Sequence, residues 1–382
     1  MKKNGFKQHC LAILAALLVL AGFPCIAETG VSDDDIFIGQ SAALAGPASE
    51  LGTEMRLGAQ VYFKRLNQKG GVHGRKVRMV TLDDGYEPAR AVANTQRFID
   101  EYKVFALFGY VGASSANSVV PLVTKAQIPF FAPVTGAQVL RTPVNRYVFN
   151  IRASDSDEAG RIVEQLVLTA RRRIAVLHEN NDFGRGGLDA VTAALARHGL
   201  QAVSTGMVET NSMALTPAVA SILAGKPDAV IMLAAYASGA EFVRRAKQAG
   251  FAGQFYNMSF VGSAALAAEL GKDGLGVAVS QVVPLPWSAG TSIAREYQKA
   301  MAEDSPAALS FSSMEGYIAA KVFVEGLRRA GRQLTREKLI AAFDEMSAYD
   351  IGGFTVGFSP TQHSGSAYVD LTIVGRDGKF MK

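Results

Sequence analysis

From Ile36 onward, short apolar runs alternate with amphipathic helical stretches, and that succession admits few folds. Ile36–Leu44 reads as a first strand. Glu50–Asn67 reads as a helix, with Leu51, Met55, Val61, Tyr62 and Leu66 recurring at the helical period. Lys76–Leu82, Val104–Val111 and Ile128–Ala132 follow as strands, separated by helices over Pro88–Tyr102 and Ser115–Ala126. Continuous apolar strands spaced by helices indicate a parallel sheet covered on both faces. After Arg152 the rhythm restarts. Ile174–His178, Val203–Val208, Ala229–Ala235, Phe255–Met258 and Val277–Val283 are the strands of a second array. Asp155–Ala170, Gly187–His198, Pro217–Ala224 and Ala240–Ala249 are its helices. The sequence therefore predicts an α/β chain of two doubly wound, Rossmann-like lobes.

Three helices then come together, Ser292–Ala302, Ser313–Ala330 and Arg336–Glu345, followed by strand-like pieces at Phe354–Phe358 and Tyr368–Val374. Neither the helical group nor the terminal pair completes two separate sheets. The chain is therefore expected to cross between the lobes three times, near Arg152, Pro284–Pro286 and Asp350–Gly353. The expected first lobe is residues 28–152 with 285–350, and the second is 153–284 with 351–382, leaving a ligand cleft between them. A length of 382 residues suits two domains.

The amino end is organised differently. A basic segment carrying Lys2, Lys3 and Lys7 precedes the apolar run 11–23, and Cys25-Ile26-Ala27 supplies small residues ahead of a cut. This is the pattern of a secretory signal peptide over residues 1–27, with the mature chain starting at Glu28 in the periplasm. An uncleaved anchor and lipidation at Cys25 are the competing readings, but the run is shorter than the roughly 20 residues a span requires. Both cysteines, Cys10 and Cys25, fall in this segment, so the mature chain is expected to hold together by core burial alone. Three of the net +5 charges also fall there, and the remainder carries no basic excess that would suit nucleic acid.

No catalytic or cofactor pattern stands out. His9, His73, His178, His198 and His363 lie far apart, without a partner at metal-ligand spacing. There is no phosphate-binding P-loop sequence and no G-x-S-x-G elbow. The expectation is a binding protein rather than an enzyme, with no metal and no cofactor.

Residues 36–70, a strand running into a Gly-Pro loop and a long helix closing on Asn67-x-x-Gly70-Gly71, lead into the Gly74-x-Lys76 strand and the Asp83-Asp84 pair. Together with 105–118, 128–137, 173–187 and 227–236 they resemble the type 1 periplasmic binding proteins, closest to the leucine/isoleucine/valine-binding branch. The resemblance spans nearly the whole mature chain in order. It implies two lobes closing on a small-molecule ligand and an inner-membrane ABC permease as partner, with the receptor a monomer. A sensory module with the same fold is the alternative.

Ligands of doubly wound sheets sit beyond the carboxyl ends of the strands, so the loops there are the candidates. Ser114 and Ser115 open a helix and, with free amides, suit a carboxylate. The resemblance points to Thr135 for the same end of the ligand. In the second lobe the resemblance places a Tyr where Phe183 stands, beside Asp182, and another where Tyr236 stands. It also places a Glu for the ligand's ammonium where Ser259 stands. Leu51 and Phe260 would supply apolar walls, with Tyr86 and Tyr110 at the mouth. Without an acid at Ser259 a buried ammonium lacks its partner unless Asp182, otherwise a loop-capping residue, takes that place. The expected cargo is therefore an apolar or aromatic carboxylate rather than a free α-amino acid.

Overall fold

The computed structural model describes residues 28–46 and 48–382, so the expected signal peptide lies outside the described residues. The first sheet contains five parallel strands, β1 (Asp35–Ala42), β2 (Lys76–Asp83), β3 (Ala106–Phe108), β4 (Phe130–Phe131) and β5 (Val148–Phe149), in the order β2-β1-β3-β4-β5. Ile38 stands opposite Met79 on one side and Ala106 on the other. The second array supplies β6 (Ile174–Glu179), β7 (Ser204–Val208), β8 (Ala229–Leu233), β9 (Gln254–Asn257) and β10 (Ala278–Gln281). Further on, β11 (Tyr349–Asp350) and β12 (Thr355–Val356) form a small antiparallel pair, followed by β13 (Asp370–Val374) and β14 (Phe380–Met381). The second sheet runs β14-β13-β10-β9-β8-β6-β7. Its first five strands in sequence are parallel, and β13 and β14 close one edge antiparallel.

The fold class is the one expected: an α/β chain with two mainly parallel sheets. Their central strands are apolar because helices cover both faces. Residues of β3, β6 and β8 such as Leu107, Val176 and Ile231 are fully buried. The helix Phe311–Ala330 lies along Ser49–Gln68 of the first lobe. Two glycines permit the close approach. A Cβ on Gly58 would stand 1.7 Å from the Ser313 carbonyl oxygen, and one on Gly316 would stand 2.1 Å from that of Met55. Phe323 then reaches the first sheet, 5.8 Å from the Phe108 ring and 5.3 Å from Phe131. Phe343, on the helix Arg336–Asp344, stacks on Phe131 at 4.7 Å and meets Phe149 at 4.9 Å.

The change of sheet expected near residue 350 falls later. Phe358 meets Phe149 at 5.5 Å, the His363 ring stacks on Phe149 at 4.0 Å, and Asn150 donates its amide to the His363 carbonyl and accepts the Gly365 amide on its own carbonyl. Residues 354–365 therefore pack on the five-stranded sheet, and the chain reaches the seven-stranded one only with β13. The Asp350–Gly353 cluster makes a tight turn, in which the Asp350 carboxylate accepts the Gly352 and Gly353 amides. Gly and Pro mark turns generally, not crossings in particular.

Several boundaries also differ. The helix expected from Gly187 begins at Asp182, because Asn181 caps it by accepting the Gly184 amide at 2.9 Å. Gly184 and Gly187 serve close packing and do not break the helix. A Cβ on Gly184 would meet the Glu179 carbonyl oxygen at 1.9 Å. The helix Ser263–Leu270 was not anticipated, nor were the short strands β5 and β14.

The aromatic cluster around Phe343 ties the C-terminal helices to the first sheet. Phe343→Ala is expected to lower unfolding stability by about 3–5 kcal/mol, the cost of deleting a buried ring. Urea denaturation of the purified protein checks it.

Candidate functional site

Strand order singles out the same two places in both sheets. In the first, the chain goes from β1 outward to β2 and returns to the far side of β1 as β3. In the second it goes from β6 to β7 and returns on the other side of β6 as β8. At each reversal, the loops beyond the two central strands diverge and leave a crevice. Those loops carry Leu44–Gly46 and Gly109–Gly112 in one lobe, and Asn180–Asn181 and Ala234–Ala235 in the other, each ahead of a helix start.

The first-lobe loops are fixed by two adjacent carboxylates, half-buried Asp83 and buried Asp84. The Asp83 carboxylate accepts the Leu44 amide at 2.8 Å and the Gly85 amide at 3.1 Å. Fully buried Asp84 accepts the Ser41 hydroxyl at 2.7 Å and the Tyr86 amide at 2.9 Å, and burial pushes its carboxyl up. Tyr86 is half-buried and lies against Gly112 so closely that a Cβ there would stand 2.4 Å from the ring. With φ at +99°, Gly112 is closed to side chains on both counts. In the second lobe, buried Glu179 performs the equivalent task. Its carboxylate accepts the Asn181 side-chain amide at 2.8 Å, the Ala235 backbone amide at 3.0 Å and the Ser238 hydroxyl at 3.2 Å.

Most of the expected site residues meet where the lobes touch. The Ser114 hydroxyl accepts the Asp182 amide at 3.3 Å, and the Asn117 side chain donates to the Asp182 carboxylate at 3.5 Å. Asp182 is further paired with Arg185 at 2.7 Å. Phe260 stacks 6.2 Å from Tyr86 of the opposite lobe and 4.9 Å from Phe183. Buried Leu51 lies against Gly262, close to the Tyr236 ring, and the Tyr236 hydroxyl meets the Ser49 side chain. Ser115 is buried, and its hydroxyl has no hydrogen-bond partner among the described residues. The Thr135 hydroxyl accepts the Ala137 amide at 3.1 Å. Tyr110 is not at the mouth. It is fully buried in the first lobe and its hydroxyl pairs with Thr95 at 2.9 Å, because the strand end turns the ring toward the flanking helix.

Ser259 belongs to a charged cluster that the residue pattern did not disclose. Its amide and hydroxyl both donate to Glu158, at 2.8 and 2.9 Å, and it accepts from the Arg152 guanidinium. Ser280 donates to the same Glu158 carboxylate at 2.5 Å. Arg152 is 2% exposed and stands 3.6 Å from Glu158 of the second lobe and 3.7 Å from Glu315 on Phe311–Ala330 of the first. Burial raises the Glu315 carboxyl, with Arg152 opposing that shift. Nearby, Arg141 donates to the carbonyls of Thr135, Gly136, Arg152 and Ala153, which fixes the Thr135 loop to the crossing strand. Desolvation lowers the Arg141 guanidinium to about 10 and raises the adjoining Asp155 carboxyl to about 7. Arg141, Arg152, Asp155 and Glu158 share one stretch of chain, but Ser259, Ser280 and Glu315 come from distant segments, and each charge on its own resembles a solvated helix or loop residue. Only the crossing itself, at Arg152, was visible.

Glu50 was also missed. It lies in the first turn of Ser49–Gln68, with its carboxylate toward the Ala265 amide of the opposite lobe. Burial, with Glu54 nearby, raises its carboxyl to about 7. No group of three or more His, Cys, Asp or Glu arranged to hold a metal occurs among the described residues. No helix among them is long and apolar enough to cross a membrane.

The sequence profile of the periplasmic binding proteins matches residues 35–379. The chain belongs to that family, in its type 1, leucine/isoleucine/valine-binding branch. It is a solute-binding protein, not an enzyme. It is 24% identical to an amino acid binding protein of Pseudomonas aeruginosa over 67% of each chain. It is also 24% identical to a leucine-specific-binding protein of Salmonella typhimurium over 73% of each. Among solved structures, a possible leucine/isoleucine/valine-binding protein from Rhodopirellula baltica is 33% identical, with a TM-score of 0.88 over 93% of this chain and 98% of that one. A substrate-binding periplasmic protein from Ralstonia solanacearum is 30% identical, with a TM-score of 0.85 over 91% and 99%. The fold is shared at 20% identity, with a TM-score of 0.84 over 93% and 92%, by a fatty acid ABC transporter substrate-binding protein from Thermomonospora curvata.

Two outcomes are expected from the charges at the lobe contact. Arg152→Met leaves Glu158 and Glu315 buried without their cation and should cost about 3–5 kcal/mol in urea unfolding. Glu50 acts through pH. Its carboxyl is raised from 4.5 to about 7, so the folded protein holds that proton more tightly than the unfolded chain. The penalty for ionising it is absent below 4.5 and complete above about 7. Glu50→Gln should therefore raise the melting temperature at about pH 8, with the gain shrinking as pH falls toward about 4.

Proposed function

We propose that the protein is a periplasmic receptor that captures a small apolar or aromatic carboxylate and delivers it to an ABC importer of the inner membrane. The observation that carries this reading is the state of Ser259. A Glu there would meet a ligand's ammonium, but Ser259 instead takes the Arg152 guanidinium on its hydroxyl and is fully engaged with Glu158. The positive charge at that end of the cleft is already supplied by the chain. Glu158 is saturated by Ser259, Ser280 and Arg152, and Asp182 by Arg185 and Asn117, so neither carboxylate is free to take an ammonium. At the other end the unpartnered Ser115 hydroxyl, with Ser114 and Thr135, suits an anionic acceptor, to which hydrogen bonds are stronger than to a neutral one. Leu51, Phe183, Tyr236 and Phe260 would hold the apolar part.

In this reading the lobes are residues 28–152 with 285–366 and residues 153–284 with 367–382. The ligand is enclosed by rotation of one lobe against the other about the three crossings, and the closed form is what the permease recognises. The receptor acts as a monomer.

Calorimetry with the exported protein tests the ligand class. Phenylacetate or 4-methylpentanoate should bind more tightly than phenylalanine or leucine. The expected margin is about ten- to hundredfold, the worth of roughly 1.5–3 kcal/mol for a charge-assisted bond that the amino acid cannot recover. Submicromolar binding of a free amino acid would refute the reading.

A further inference from the structure

Away from the cleft, a cavity of about 890 Å³ opens between the helix Ser263–Leu270, the second crossing and the C-terminal hairpin. Its apolar wall is an aromatic triad. Trp287 lies 5.3 Å from Phe311 and 6.2 Å from Phe380, and Phe311 and Phe380 are 5.8 Å apart. Ala264, Ala267 and Gly271 form the facing wall, where small side chains leave the space open. Trp287 is the only tryptophan in the chain and is 38% exposed, its ring forming part of the wall of this cavity. The rim is cationic. Arg376 and Lys379 line it, against one acid, Asp377, which is already paired with Lys379 at 3.2 Å. Arg376 makes no ion pair among the described residues.

The volume is that of a small-molecule pocket, and an aromatic wall beneath surplus positive charge is complementary to an amphipathic anion. We propose that this cavity is a second small-molecule site, distinct from the cleft. It takes an amphipathic carboxylate with its chain against Trp287, Phe311 and Phe380 and its anionic end at Arg376. Phe311 belongs to a helix packed on the five-stranded sheet, whereas Phe380 and Gly271 belong to the seven-stranded side. Occupancy therefore bridges the lobes on the flank of the crossing and favours the arrangement in which both walls are present. The site does not depend on the cargo proposed for the cleft.

Because Trp287 is unique, its emission reports this cavity directly. Titration of the exported protein with decanoate should give a saturable blue shift. Arg376→Glu should weaken the apparent affinity by about tenfold or more, since a repulsive charge replaces an attractive one. Ala267→Phe, which fills the cavity from the opposite wall, should abolish the response. Ala268→Leu, at an exposed helical position that lines the same cavity, guards against a folding defect in Ala267→Phe and should weaken the response partially with the melting temperature unchanged. No saturable shift would overturn the proposal. So would a shift that survives both Arg376→Glu and Ala267→Phe, which would place decanoate elsewhere, the cleft included. Concentration-dependent dimerisation in sedimentation, abolished by Ala267→Phe, would also overturn it by making the face an interface between copies.

Discussion

The arrangement of the two lobes depends on one buried guanidinium. Arg152 leaves the first sheet at the crossing strand and is pinned between a carboxylate from each side, Glu315 of the first lobe and Glu158 of the second. A charge this deeply desolvated persists only where its partners are held in place. Here they are, because Ser259 and Ser280 satisfy Glu158 from the second sheet and Arg141 fastens the crossing strand to the Thr135 loop. The same set of bonds joins the hinge to the walls of the cleft. A movement of one lobe cannot leave the environment of Ser259, or of Thr135, untouched.

The loops follow a comparable logic on a smaller scale. Each crevice lies at a reversal of strand order, and at each a buried acid gathers backbone amides and hydroxyls that the strands leave unpaired. Asp84 does so below Tyr86, and Glu179 below Asn181 and Ala235. The polar groups are internal to the scaffold, and the apolar ones, Leu51 and Tyr86 of the first lobe and Phe183 and Phe260 of the second, meet where the lobes touch. This division of labour suits recognition of an apolar body, while Ser114 and Ser115 remain at the amide-rich start of a helix.

Much of this was legible in the sequence. Continuous apolar strands such as Val104–Val111 and Ala229–Ala235 can be satisfied only between helical layers, so the two parallel sheets followed from patterning. The candidate loops followed from the rule that ligands lie beyond strand ends. What escaped has physical reasons. Tyr110 looks like a cleft residue because it ends a strand, yet which way a ring turns depends on a helix partner, here Thr95. Residues 354–365 remain on the first sheet because Phe358 and His363 find an aromatic cluster there, a long-range preference that no local pattern carries. The ion cluster was illegible because its members come from distant segments, and buried and solvated charges read alike until the chain is folded.

Glu179 has a further consequence for how the protein recognises its cargo. One carboxylate holds both second-lobe loops, so Phe183 and Tyr236 are kept in position before any ligand arrives. Binding then avoids the conformational entropy of ordering two independent loops, a cost of about 0.5–1.5 kcal/mol for each side chain immobilised. Discrimination among cargoes of similar shape accordingly resides less in the contacts made than in the disorder that never has to be removed.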